Sequence, residues 1–156
     1  KHTPSSGEYG YPAVVRYGNI VYFAHPIFTQ YKKNAPKWVK ILVSNAIDML
    51  LDKRIIRHDG PSTLEADLNI QYDRNRYVLH LLHYIPERRT ETMDIIEDII
   101  PLYNIGFAVN VDKEVTDVKL IPQNIPVEFT KDGSMIRFTI PEIRGHQMVE
   151  FSYIER

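Results

Sequence analysis

Cysteine is absent from this chain of 156 residues, which excludes disulfide bonds and thiolate-bound metal sites within it. No run of about 18 apolar residues is present that could span a membrane as a helix. None of the seven glycines falls in a glycine-rich loop that could hold a phosphate. Neither charge sign dominates, because 19 basic and 20 acidic residues give a net charge of -1. We therefore predict neither a nucleic acid nor a membrane as partner, and the composition indicates no compartment.

The first part of the chain has the pattern of the end of an α/β unit. Strands are predicted at Ala13–Arg16 and Ile20–Ala24, around a Tyr17-Gly18-Asn19 turn whose glycine can take a positive φ. A helix is predicted from Trp38 to Leu51. A strand followed by a helix in this way is normally buried in a mostly parallel sheet, which needs several βα repeats that this sequence lacks. We expect residues 1–58 to be the carboxy-terminal part of a larger α/β domain.

The predicted helix carries two rows of apolar residues and a narrow polar stripe. The rows contain Trp38, Ile41, Leu42, Ala46 and Met49 and, beside them, Val39, Val43, Ile47 and Leu50. A helix on the surface of a single sheet needs only one such row. The pattern therefore predicts a helix that is buried on most of its circumference.

The pattern changes to a period of two after the probable boundary at Asp59-Gly60-Pro61. Strands are predicted at Leu64–Tyr72, Arg76–Tyr84, Tyr103–Val111, Val115–Ile121, Ile125–Phe129, Met135–Ile140 and Gln147–Tyr153. Glu87–Asp94 is interpreted as an exposed connection, and Ile95–Ile100 as a strand or one helical turn. Short strands of this number favour an antiparallel β-sandwich over residues 59–156. The fold class expected for the chain is therefore α+β, with the end of an α/β unit (hairpin, strand, helix) followed by an all-β domain.

Histidines are the first candidates for chemistry. His80 and His83 lie three apart in a predicted strand, so they point to opposite faces and cannot hold one metal ion together. His25 follows the carboxyl end of a strand, where open α/β sheets place their ligand sites. The simpler interpretation is a histidine that packs beside Pro26 and anchors the strand end.

Acidic residues and tyrosines are the next candidates for catalysis and for sugar binding. A glycosidase needs two carboxyl groups about 5–9.5 Å apart, which neighbours in sequence do not supply. Glu97-Asp98 and Asp112 to Glu114 are interpreted as exposed acids in connections. Tyr77, Tyr84, Tyr103 and Tyr153 could form a surface that stacks on sugars, although most lie in phase with core positions. Burial in the sandwich is the preferred interpretation for these tyrosines.

Several segments resemble a family of bacterial glycoside hydrolases. Residues 18–28, GNIVYFAHPIF, and 45–51, NAIDMLL, resemble the last strand and helix of a glutamine-amidotransferase-like α/β domain, the β-galactosidase trimerisation domain. Residues 79–89, LHLLHYIPERR, 97–102, EDIIPL, and 141–149, PEIRGHQMV, resemble the small β domain that closes such enzymes. The resemblance covers most of residues 11–153.

The resemblance implies a parent enzyme with a catalytic (β/α)₈ barrel that carries both catalytic acids. It therefore implies no catalytic, cofactor or metal-binding residue in this chain, whose partners would be the missing barrel and further copies of the parent. The leading hypothesis is a non-catalytic accessory region that supports the barrel or its oligomer. The alternative is a carbohydrate-binding module that uses exposed tyrosines, and a third hypothesis is a small hydrolase that uses His25. His25, Tyr84 and His146 are the candidate ligand or interface residues.

Overall fold

A computed structural model describes residues 7–155 of the chain, which divides into two compact units between Lys53 and Arg54. We call the part before Arg54 the amino-terminal unit and the rest the β unit. The sequence pattern placed the boundary between residues 58 and 59. The strand Ile56–His58 lies in the β unit because it pairs with a long strand there, Leu102–Asn110.

The amino-terminal unit contains a β-hairpin and two helices. Its elements are β1 (Val14–Tyr17), β2 (Ile20–Phe23), α1 (Ile27–Asn34) and α2 (Lys37–Leu50). Gly18 takes a φ of +55° in the hairpin turn, as the sequence predicted. The prediction missed α1, which ends where Ala35 takes a left-handed conformation before Pro36. No helix in the described part of the chain is both long and apolar enough to cross a membrane.

Two predictions of burial in this unit are wrong. Ile20 and Tyr22 of β2 are each 64% exposed, whereas a strand inside a sheet was expected. Only Val39 and Ala46 of α2 are buried, and Trp38 is 57% exposed. Burial on more than one face needs further layers of structure. The described residues of this unit supply only one hairpin and two helices, with β2 paired to β1 alone.

The β unit contains eleven of the strands. They are β3 (Ile56–His58), β4 (Leu64–Gln71), β5 (Arg76–His83), β6 (Glu87–Arg88), β7 (Asp94–Ile95), β8 (Leu102–Asn110), β9 (Glu114–Ile121), β10 (Ile125–Pro126), β11 (Phe129–Asp132), β12 (Met135–Ile143) and β13 (Gly145–Ile154). The predicted exposed connection thus forms the small β6–β7 hairpin. β12 continues past Pro141, although proline has no backbone N–H to donate to a neighbouring strand. The pairing of β12 with β11 ends at Phe138, so β11 needs no hydrogen bond from residue 141.

Two antiparallel sheets form a β-sandwich-like fold, as predicted. One sheet has the strand order β10-β9-β13-β5-β4, and the other has the order β11-β12-β8-β3. Side chains alternate between the two faces of each strand, so the inward set forms the core. Its most deeply buried members, with no exposure, include Leu79, Leu81, Ile140, Val149 and Phe151.

Candidate functional site

The structure places the three candidate residues of the sequence in three different surroundings. His25 follows β2 and is exposed, and its carbonyl accepts a hydrogen bond of 2.8 Å from the amide of Ile27. Tyr84 follows β5 and is half-buried against Gly145. His146 is exposed on β13. His146 is the only one of the three whose ring contacts a second imidazole among the described residues.

The second imidazole belongs to His80, on the neighbouring strand β5. His80 Nδ1 and His146 Nε2 lie 3.3 Å apart, and the two rings are inclined by 8°. His83 lies on the opposite face of β5 and is 2% exposed, which agrees with the predicted separation of His80 from His83. The Nδ1 atom of His83 is buried, and no described residue offers it a hydrogen bond.

The four tyrosines considered for sugar stacking do not form an exposed row. Tyr77 and Tyr153 belong to the core, with ring centroids 5.3 Å apart, and Tyr84 is half-buried. Tyr103 is 61% exposed. Burial therefore accounts for two of the four, and the remaining two offer no shared platform.

The acids singled out in the sequence make structural interactions. Asp112 accepts a hydrogen bond from the Tyr77 hydroxyl, and Glu97 forms an ion pair with Arg89. Burial, followed by the hydrogen bond to Asp112, raises the pKa of Tyr77 above its ordinary value of 10.0. The same hydrogen bond lowers the pKa of Asp112. The pair is thus held as a neutral phenol and a carboxylate, an arrangement that fixes the β8–β9 turn.

An open groove of about 1480 Å³ lies on the β unit. The strand register makes Arg57, Ala108, Arg137 and Thr130 direct neighbours across β3, β8, β12 and β11. This row faces away from the core, because the alternate row contains the core residues Phe107 and Phe138. Two arginines thus flank a small residue in the groove.

The next row of the groove is built around Gly106. The Gly106 amide donates a hydrogen bond of 2.9 Å to Asp59 Oδ1, and the Asp59 amide donates one of 3.2 Å to the Gly106 carbonyl. A Cβ atom on residue 106 would lie 3.1 Å from Asp59 Oδ2, so glycine allows the carboxylate this position. Sequence reasoning missed this groove, whose residues come from six separate strands.

The two acids that line the groove lie beside opposite edges of the four-stranded sheet. They are Asp59, beside the edge strand β3, and Glu128, which precedes the opposite edge strand β11. Three strand spacings, about 14 Å, separate the backbones of these two edges. The described residues also contain no group of three or more His, Cys, Asp or Glu arranged to hold a metal ion. The groove offers guanidinium, carboxylate and hydroxyl groups that could bind a polar molecule by hydrogen bonds.

Comparison with solved structures relates the chain to an enzyme. It is similar to α-L-fucosidase isoenzyme 2 from Paenibacillus thiaminolyticus, with a TM-score of 0.90 and 33% sequence identity over 99% of the chain. The chain spans only 24% of that protein. No protein-family model and no curated protein matches the sequence. The similarity supports the expected relation to bacterial glycoside hydrolases, and the neighbour is a fucosidase where the sequence segments resembled a β-galactosidase family.

Proposed function

We propose that this chain is a non-catalytic accessory region of a glycoside hydrolase, and that it supports a catalytic barrel or its oligomer. The observation that carries the proposal is that almost the whole chain aligns with about a quarter of a fucosidase. The fold of nearly the whole chain thus recurs as one region of a much longer enzyme. We infer that this chain is the corresponding region of a longer enzyme. The remaining three quarters of such an enzyme would supply the catalytic acids.

The placement of the groove acids beside opposite edges of the four-stranded sheet supports the non-catalytic role. Glu97 and Asp112, the other acids considered, are held in an ion pair and a hydrogen bond. General acid catalysis needs a carboxyl group that reaches the glycosidic oxygen opposite a second carboxylate. We therefore expect these acids to have structural roles in the β unit.

The amino-terminal unit would be the surface that joins the rest of the parent. We propose that residues 1–58, with the hairpin and helix α2, are the carboxy-terminal part of an amidotransferase-like, trimerisation-type domain. Ile20 and Tyr22 of β2 and Trp38 and Ile41 of α2 are all about half or more exposed, between 49% and 64%. Ile20 and Tyr22 lie on one face of β2, and Trp38 and Ile41 lie on one face of α2, so each element presents an exposed apolar pair of the kind found at interaction sites. We propose that the missing α/β elements of the parent cover them, with further copies of the parent and its barrel as partners.

The test is to recover the native protein from its source cells with an antibody raised against this chain. We expect a polypeptide several times heavier than 18.2 kDa that hydrolyses an α-L-fucoside or a β-galactoside, while the purified chain alone hydrolyses neither. A native protein of 18.2 kDa that co-purifies with no hydrolase would refute the accessory role. Turnover by the purified chain that is lost in His25→Ala would instead support the small hydrolase.

A carbohydrate-binding role is the second candidate, and the groove is the observation that favours it. Planar guanidinium and carboxylate groups and the Thr130 hydroxyl suit the paired hydroxyls of a sugar. Titration of the chain with fucosylated and galactosylated oligosaccharides, followed by NMR, tests the idea. Arg137→Ala should weaken binding, Arg144→Ala serves as an exposed control, and Tyr103→Ala tests a tyrosine surface instead. Absence of shifts at high sugar concentration would exclude this role.

A further inference from the structure

The contact between His80 and His146 lies on the outer face of the five-stranded sheet. His80 alternates along β5 with the buried residues Leu79 and Leu81, so it points away from the core. On β13, the register places Met148 directly opposite His80, and His146 lies two residues before Met148 on the same face. Two imidazoles and a thioether therefore occupy adjacent positions on two paired strands.

The separation of the two imidazole nitrogens matches that of two ligands on one metal ion. Metal–nitrogen bonds of about 2.0–2.1 Å at a tetrahedral angle place the two nitrogens about 3.3–3.4 Å apart. His80 Nδ1 and His146 Nε2 are 3.3 Å apart. The strands thus already hold the two nitrogens at the spacing that a shared ion requires.

Met148, directly opposite His80 in the strand register, is the candidate for a third donor. Side chains directly opposite each other on paired antiparallel strands have Cβ atoms about 4.5–5.5 Å apart, which a flexible methionine can bridge. A thioether is a soft ligand that selects Cu(I) over hard cations. Asp67 flanks His80 on the other side, from β4, but its Oδ2 atom accepts a hydrogen bond of 2.8 Å from Asn69. The candidate donor set is therefore two imidazole nitrogens and one thioether sulfur, with the Asp67 carboxylate on the next strand already engaged by Asn69.

We propose that His80, His146 and Met148 form a binding site for a soft transition-metal ion, Cu(I), which bridges β5 and β13. The site is independent of the accessory role proposed above, since it needs only the β unit. Its fourth coordination position faces solvent and is open to water or an added ligand. Binding would cross-link two central strands of the five-stranded sheet.

A hydrogen bond between two neutral imidazoles would also give a separation of 3.3 Å, and titration with Cu(I) separates the two explanations. The purified chain competes with a chromogenic Cu(I) chelator under anaerobic, reducing conditions. We expect the chain to withdraw one equivalent of Cu(I) and to shift the NMR signal of the Met148 methyl group. A chain that withdraws no Cu(I), or whose Met148 signal does not respond, refutes the site.

Variants locate the ligands. His146→Gln should lower the Cu(I) affinity by at least about 10–100-fold. Loss of a residue that only hydrogen-bonds to a metal ligand already costs that much, and His146 would be a ligand itself. Met148→Leu conserves volume and should weaken Cu(I) while it leaves Zn²⁺ affinity nearly unchanged, since Zn²⁺ relies on the imidazoles. His25→Gln, in the amino-terminal unit, is the control. Equal Cu(I) affinity in His146→Gln and His25→Gln would overturn the proposal, and circular dichroism confirms that each variant is folded.

Discussion

Replacement of Gly145 by alanine should destabilise the β unit through two separable effects. Gly145 begins β13 with a φ of +70°, a conformation that costs an L-residue about 1–2 kcal/mol. A Cβ atom there would lie 2.8 Å from the Tyr84 hydroxyl and 3.1 Å from Cζ of the same ring. The Tyr84 ring must then be overpacked or displaced, at about 1–3 kcal/mol.

Together these terms give about 2–5 kcal/mol for Gly145→Ala. Alanine also reduces the entropy of the unfolded chain, which offsets about 0.4–1 kcal/mol. A net loss of about 1–4 kcal/mol remains, and for a domain of about 100 residues each kcal/mol lowers Tm by about 4–8 °C. The effect is large enough to measure by chemical denaturation.

Gly133 provides a matched control. It has a φ of +60°, and a Cβ atom there would meet nothing within 4 Å, so Gly133→Ala measures the conformational cost alone. The excess cost of Gly145→Ala should vanish in a Tyr84→Ala background, as a double-mutant cycle would show. Urea denaturation should be followed by near-UV circular dichroism of the tyrosines, because the single tryptophan, Trp38, reports on the amino-terminal unit. This account would be refuted if the two glycine variants lost equal unfolding free energy. It would also be refuted if the cost of Gly145→Ala were the same with and without Tyr84→Ala.

Three further predictions concern the β unit. The hydrogen bond from Tyr77 lowers the pKa of Asp112, and burial followed by that hydrogen bond raises the pKa of Tyr77 above 10.0. The stability that these two shifts contribute is lost as pH falls through the lowered pKa or rises through the raised one. Tyr77→Phe should therefore flatten the pH dependence of the unfolding free energy at both extremes, and an unchanged profile in urea denaturation would contradict the pairing. Phe138→Ala should cost about 3–5 kcal/mol, because this ring stacks on Phe107 at 5.5 Å and is only 5% exposed; a loss below about 1 kcal/mol would show a poorly packed site. Asp59→Ala should speed hydrogen exchange at the Gly106 amide, which donates to that carboxylate, and Asp67→Ala should leave this amide unchanged.

Local sequence signals predicted most of the β unit. The alternation that predicted a strand at Leu64–Tyr72 matches β4, Leu64–Gln71, within one residue. Helix α1 was missed because only Ile27 of its residues is buried, so its sequence carries no strong apolar period. The burial of β2 was predicted wrongly because burial depends on neighbouring layers, which periodicity alone cannot supply.

The arrangement of side chains on the sheet surfaces was less accessible to prediction. His80 and His146 are separated by 66 residues and meet only because β5 and β13 pair in one particular register. A shift of that register by one residue would put His146 on the other face. Arg57, Ala108 and Arg137 are likewise brought together by the order of three strands, which no local pattern encodes.

Strand β4 has a consequence for association between molecules. It forms one edge of the five-stranded sheet over its whole length, Leu64–Gln71, so one row of its backbone groups has no partner strand in that sheet. Such an edge is a template for a second chain unless charged side chains oppose the approach. Antiparallel pairing of two copies about Asp67 would set their carboxylates face to face, with Glu65 close by. Repulsion between these like charges therefore opposes pairing of the edge with its copy, so two acids that the core does not use protect the β unit from association.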